Sequence, residues 1–220
     1  MTGSFFNKFL GQAVADRKNI LISGGTGTGK TTLLNALATL IPDEQRIIVI
    51  EETREIRLSK PNVVRWEARG ARTDLAPVTI RELVKASLRH RPDRLLVGEV
   101  RGAEAFDLLQ ALNTGHSGSL STIHANSSAQ ALARLTNCVL ESGIELPYAA
   151  IRANIAASLD LVVQIERRSG ERLVTELVEV QGYDHSRDAF DCRSLSGCTE
   201  PEANEVHRKP MHRIVERFGG

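Results

Sequence analysis

Residues 24–31 read Gly-Gly-Thr-Gly-Thr-Gly-Lys-Thr, which satisfies G-x-x-x-x-G-K-[ST] at every fixed position. Such a string suits phosphate chemistry. Its glycines let backbone N–H groups turn inward around phosphate oxygens, and a helix starting at the lysine adds positive potential. Gly25, Thr26, Gly27, Thr28, Gly29, Lys30, Thr31 and Thr32 are therefore expected to cradle a nucleotide, ATP. Lys30 is expected to reach the terminal phosphates and Thr31 to ligate Mg²⁺.

Hydrolysis needs more than a cradle. It needs a carboxylate to organise Mg²⁺ or the attacking water, and groups that sense the γ-phosphate. Two acids stand where a sheet presents ligands, just beyond short apolar runs. Glu99 follows Leu95-Leu96-Val97-Gly98, and Glu52 follows the run 47–50. Glu99 is also the candidate partner of Thr31 on the metal. His124 ends Thr122-Ile123-His124 and has two open roles, donation to a γ-phosphate or capping of the next helix. His116 lies in a Gly/Ser-rich stretch upstream of it. Arg101, two residues after Glu99, is placed to answer phosphate charge in its own or a neighbouring subunit. Arg54, Arg89 and Arg91 are weaker candidates, equally suited to the surface.

These residues need elements to hold them. The run 19–23 suits a buried parallel strand, and 30–40 reads as a helix with Leu33, Leu34, Leu37 and Leu40 on one face. Strand, glycine loop and helix is the order the motif requires. Further strands are expected at 46–50, 63–66, 95–97 and 120–123, and helices at 80–88, 103–113, 127–141 and 147–157. Runs 161–165 and 173–180, joined by Arg168-Ser169-Gly170-Glu171, form a hairpin signal and hence an antiparallel sheet edge. The alternation predicts an α/β fold with a mostly parallel sheet flanked by helices. Residues 186–220 are polar with little periodicity and are expected to form a loosely ordered tail outside a domain of 1–185.

Composition narrows the function. The 220 residues are 41% hydrophobic and 25% charged, as in a soluble globular protein. No stretch approaches a membrane span, and there is no cleavable leader pattern. Phe5, Phe6, Phe9, Leu10, Ala13 and Val14 share a helical face, suited to packing or, alternatively, to a membrane surface. A net charge of +1 gives no electrostatic case for nucleic-acid binding. Cys138, Cys192 and Cys198 form no C-x-x-C pair, which argues for reduced thiols and against zinc.

Four segments occur in a telling order: the phosphate loop and its helix (24–37), Ile-Glu-Glu-Thr-Arg-Glu-Ile (50–56), Arg-Pro-Asp-Arg-Leu-Leu-Val-Gly-Glu-Val-Arg-Gly (91–102) and Thr-Gly-His-Ser-Gly-Ser-Leu-Ser-Thr-Ile-His-Ala (114–125). They resemble the Walker A, acidic box, Walker B and histidine box of the type II/IV secretion ATPases, nearest to the conjugal-transfer TrbB and Tad-pilus branch. The likeness covers about residues 10–182. It implies a RecA-like P-loop fold, with Glu52 as the acidic-box residue, Glu99 as the Walker B glutamate and His124 as the histidine-box residue. Gly98, where many P-loop enzymes carry aspartate, is normal in that family.

The resemblance further implies a Mg²⁺-dependent ATPase acting as a homo-oligomeric ring, a hexamer, on inner-membrane secretion or conjugation channel components. It would be cytoplasmic or peripheral to the inner membrane. Family members usually carry a further N-terminal domain of roughly a hundred residues. On that comparison the chain is expected to be the motor domain alone, weakly associated and slow. The alternatives are a nucleotide-binding assembly module with little turnover and a Tad-type pilus motor. A DNA-translocating motor is disfavoured by the near-neutral charge and the histidine box.

Overall fold

The computed structural model describes residues 2–71, 73 and 75–195. An N-terminal helix, α1 (Thr2–Ala15), precedes β1 (Ile20–Gly24), the phosphate loop and α2 (Lys30–Thr39). Then follow β2 (Ile47–Glu51), β3 (Val63–Glu67), α3 (Ile80–Ser87), β4 (Arg94–Val100), α4 (Glu104–Asn113), β5 (Leu120–Ile123), α5 (Ser128–Leu140) and α6 (Tyr148–Ser158). Three strands close the described chain: β6 (Leu161–Arg168), β7 (Glu171–Asp184) and β8 (Ala189–Ser194).

All eight strands form one sheet in the order β3-β2-β4-β5-β1-β6-β7-β8. The six from β3 to β6 are parallel, and β7 and β8 are antiparallel. The central strands are buried on both faces, which explains their continuous apolar runs. Alternate residues serve opposite cores. Ile20, Ile22, Ile47 and Val49 pack with Leu33, Leu34 and Leu37 of α2 and with Phe6 and Leu10 of α1. Leu21, Ile48 and Ile50 pack with Val84, Leu108, Leu135 and Ile155 on the other face. Of the apolar stripe of α1, Phe6, Leu10, Ala13 and Val14 are thus buried in the protein core, with Phe9 packed partly buried against it. No helix among the described residues is long and apolar enough to cross a membrane.

The expected hairpin is present. Ser169 (φ 50°) and Gly170 (φ 84°) both take positive φ, as a two-residue type I′ turn requires. Two expectations need correction. The strand expected at 95–97 runs on to Val100, so Glu99 lies inside β4 rather than beyond it. The loosely ordered tail expected from 186 does not begin there: Ala189–Ser194 is β8, paired with β7. Its side chains are half-buried or exposed, so it carries no apolar alternation to read. Backbone pairing holds this polar edge strand, and Leu195, 5% exposed, anchors its end in the core. Residues 196–220 of the expected tail lie outside the described residues.

Candidate nucleotide-binding site

Parallel strands present their carboxyl ends along one edge of the sheet, and ligands bind there. The order β2-β4-β5-β1 sets four such ends side by side. They contribute Glu52 after β2, Glu99 in β4, His124 after β5 and the phosphate loop after β1. A cavity of about 480 Å³ opens between them, lined by Thr26, Gly27, Gly29, Lys30, Thr31 and Thr32 of the loop and by Glu52, Glu99, Arg101 and His124. Of the other expected loop residues, Thr28 is buried and its hydroxyl donates to the Gly25 carbonyl at 2.9 Å, so it braces the loop. Gly25 borders a second, shallower pocket beyond His124.

Lys30 is 8% exposed. Its Nζ donates to the carbonyls of Gly24 (3.0 Å) and Gly25 (2.9 Å) and lies 3.2 Å from His124 Nε2. Burial lowers its pKa, and the Glu99 charge pulls the other way. An ammonium with neutral partners in a half-dry site gains much from an incoming phosphate.

The same His124 Nε2 lies 2.8 Å from Glu99 Oε1. One nitrogen cannot donate to Glu99 and accept from Lys30 at once, so the ring's tautomer decides which contact is a hydrogen bond. Burial and then the Lys30 charge push the His124 pKa below the ordinary 6.5, which keeps the ring neutral. The cap of α5 is not His124 but Ser127, whose hydroxyl accepts from Gln130 N at 3.2 Å.

Arg101 joins the two expected acids. It donates to Glu52 Oε2 at 2.5 Å and Glu99 Oε2 at 2.7 Å, and the Glu99 hydrogen bond raises its pKa. Each oxygen of Glu99 therefore has a side-chain nitrogen beside it, His124 Nε2 at 2.8 Å and an Arg101 nitrogen at 2.7 Å. The remaining arginine and histidine candidates lie elsewhere. His116, Arg89 and Arg91 precede β5 and β4, at the opposite edge of the sheet. Arg91 and His116 line a separate pocket there with Arg46 and Asp93. Arg54 is exposed and forms no part of the cavity wall.

Three site residues escaped the sequence reading. Glu51, 5% exposed, accepts through Oε1 from the N–H groups of Glu55 (3.0 Å) and Ile56 (2.8 Å). It thereby folds the segment that carries Glu52 and Glu55. Glu55 in turn accepts from the Thr31 hydroxyl at 3.1 Å. Gly98 leaves room for the Glu51 side chain: a Cβ there would stand 3.1 Å from Glu51 Cγ, a tight contact. The signal was an acid ending a β-branched run, where burial makes a structural carboxylate as plausible as a catalytic one. The third, Arg172, comes from β7 and belongs to no motif.

Glu51→Ala orphans two backbone donors. It is expected to cost about 2 kcal/mol or more in stability and to weaken nucleotide binding in parallel. Thermal melts with and without nucleotide check this; an unchanged melting temperature would show the carboxylate to be dispensable to the loop.

The comparisons with known proteins agree with this geometry. Residues 1–216 match the family described as Type II/IV secretion system protein. The chain is 44% identical over 179 residues to the type IV secretion system protein PtlH of Bordetella pertussis, covering 80% of this chain and 53% of PtlH. It is 41% identical over 175 residues to the conjugal transfer protein TrbB of Rhizobium radiobacter, covering 78% of this chain and 51% of TrbB. The solved VirB11 ATPase of the Brucella suis type IV secretion system, in complex with sulphate, superposes with a TM-score of 0.71 at 34% identity, over 79% of this chain and 52% of that one. The chain spans about half the length of these relatives. Its sheet is the RecA-like, mostly parallel arrangement expected from the four motifs, with the antiparallel C-terminal strands expected from the hairpin signal. With the family profile matching nearly the whole chain and the fold shared with a VirB11 ATPase, this chain belongs to the type II/IV secretion system protein family.

Proposed function

We propose that the chain binds ATP with Mg²⁺ in this cavity and hydrolyses the terminal phosphoanhydride, as the motor unit of a ring-forming ATPase of a type IV secretion or conjugation system. One observation carries the reading. Lys30, Glu99 and His124, from three separate motifs, meet within hydrogen-bond distance at the mouth of the phosphate loop. Phosphoryl transfer needs positioning and charge stabilisation, and these groups supply both. Lys30 would exchange its carbonyl partners for β- and γ-phosphate oxygens. Glu99 would orient the attacking water and accept its proton as the oxygen–phosphorus bond forms and the bond to the leaving ADP oxygen breaks. His124, neutral and next to Lys30, would donate to the γ-phosphate.

The residues also fit the metal. The Thr31 hydroxyl and the Glu99 carboxylate are hard oxygen donors in the cavity wall, and Mg²⁺ favours such ligands together with phosphate oxygens. No protein-only cluster of three His, Cys, Asp or Glu ligands occurs among the described residues, as suits an ion held largely by nucleotide and water. Bound there, Mg²⁺ would neutralise charge on the β- and γ-phosphates.

Assembly into a hexamer on cytoplasmic-side channel components, with DNA, protein or pilin as cargo, rests on the resemblance; the relatives' names supply the secretion and conjugation setting. One observation favours the quieter reading, a nucleotide-binding module with little turnover: each Glu99 oxygen has a neighbouring side-chain nitrogen within 2.8 Å. Phosphate release from Mg·ATP, measured beside tight-binding titrations, separates the two. Binding without release of phosphate would establish the module; no binding of ATP would end both.

His124 gives a test at the level of one residue. His124→Ala is expected to lower turnover and to weaken ATP more than ADP, by several-fold, in a titration of both nucleotides. Equal losses for the two would remove its γ-phosphate role. The pH dependence has a definite sign. The folded-state pKa lies below the unfolded value, so the unfolded chain takes up this proton first as pH falls. The stability tied to the neutral ring is fully present above about pH 6.5 and is lost as pH drops through the folded-state value. The variant should lack that part of the loss in melts across this range.

A further inference from the structure

The acids and the histidine of the site all lie on one flank of β1. Glu52, Glu99 and His124 come from β2, β4 and β5, which succeed one another on that side of β1. The other flank is β6 and β7. From there one side chain returns to the phosphate loop. Arg172, the second residue of β7, lines the cavity. Its stem runs so close over Gly29 that a Cβ there would meet Cδ at 2.8 Å and Nε at 3.2 Å. Gly29 also has φ 98°, so the loop conformation requires glycine there, and the Arg172 stem uses the space that the missing Cβ leaves.

The charge around Arg172 is unbalanced. Among the described residues its side chain makes no hydrogen bond and no ion pair. Its directly opposed neighbour across the hairpin is Arg167, and like charges in that relation repel. The nearby Glu166 is already paired with Arg168 at 2.7 Å. On the far flank, Arg101 is committed to Glu52 and Glu99.

We propose that Arg172 binds the α- and β-phosphates of the nucleotide, as a cation delivered by the β6–β7 hairpin from outside the four sequence motifs. The inference rests on the nucleotide reading of the cavity. Lys30, Glu99 and His124 gather at the flank that receives the terminal phosphate. A triphosphate laid on the loop from that flank extends past Gly29 toward Arg172. A guanidinium pairs well with phosphate oxygens, and here it relieves the repulsion from Arg167 as it does so. The two flanks then have different tasks: His124 separates ATP from ADP, and Arg172 holds both alike.

Fluorescent ATP and ADP titrated into the parent chain, R172A, R172K and H124A test this, with inorganic tripolyphosphate as competitor. R172A is expected to weaken ATP, ADP and tripolyphosphate by the same factor, about tenfold, with R172K recovering part of it and the melting temperature unchanged. Parental affinity in R172A would overturn the assignment while leaving the site intact. Loss of ATP without loss of tripolyphosphate would also overturn it, because the contact would then be with the base. A parent chain that binds neither nucleotide would overturn the nucleotide reading itself and this assignment with it.

Discussion

Lys30→Ala is expected to abolish ATP hydrolysis and to weaken ATP binding by about a hundredfold or more, with the fold retained. The ammonium is the cation deepest in the phosphate loop, 8% exposed, and its present partners are two carbonyls and a neutral ring. Truncation removes the group that faces the β- and γ-phosphates and leaves the loop carbonyls pointing at an anion. The loss should exceed that of any other single change in the cavity, since Arg101 is held by two carboxylates and Arg172 stands on the other flank. Phosphate release and a nucleotide titration on the same preparation check it. The backbone of the loop is braced independently by Thr28 on Gly25, so the melting temperature without nucleotide should move little. Hydrolysis at the parental rate would show that Lys30 does not serve the phosphates.

How much of this was legible in the sequence depends on the kind of signal. The phosphate loop reads directly because backbone geometry dictates glycine at fixed places and a lysine one step into the helix. Buried parallel strands read well where both their faces are apolar, as in Ile47–Glu51 and the Leu95-Leu96-Val97 part of β4. The hairpin read well because Ser169 and Gly170 must both accept positive φ. β8 did not, because an edge strand held by backbone pairing needs no apolar period. The site's acids were found but not told apart. Glu51 and Glu52 are adjacent, and only the pleat decides that the first turns into the protein and folds the following segment while the second, 57% exposed at its side chain, faces Arg101. Arg172 was out of reach for a different reason. It arrives from a strand that joins the sheet on the far side of β1, some 140 residues after the loop it touches, and nothing local to it marks the encounter.

Glu99→Gln should separate binding from chemistry. The amide keeps the size of the side chain and can still accept from Arg101 and contact His124, so the arrangement around Lys30 survives. What disappears is the negative charge that orients and deprotonates water. ATP affinity is expected to stay near the parental value while turnover falls on the order of a hundredfold or more. Glu52→Gln is the necessary companion. Glu52 borders the cavity, but its side chain is tied to the other site residues through Arg101 and is 57% exposed against 20% for Glu99. A carboxylate so open to water, holding a shared arginine, positions its neighbours more than it touches the reacting atoms. Its loss should therefore cost less turnover than the loss of Glu99. Measured side by side by phosphate release at saturating Mg·ATP, a larger defect in the Glu52 variant would exchange the roles of the two acids. Equal turnover in parent and Glu99→Gln would remove Glu99 from the chemistry, and Glu55, already bonded to Thr31, would become the carboxylate to test next.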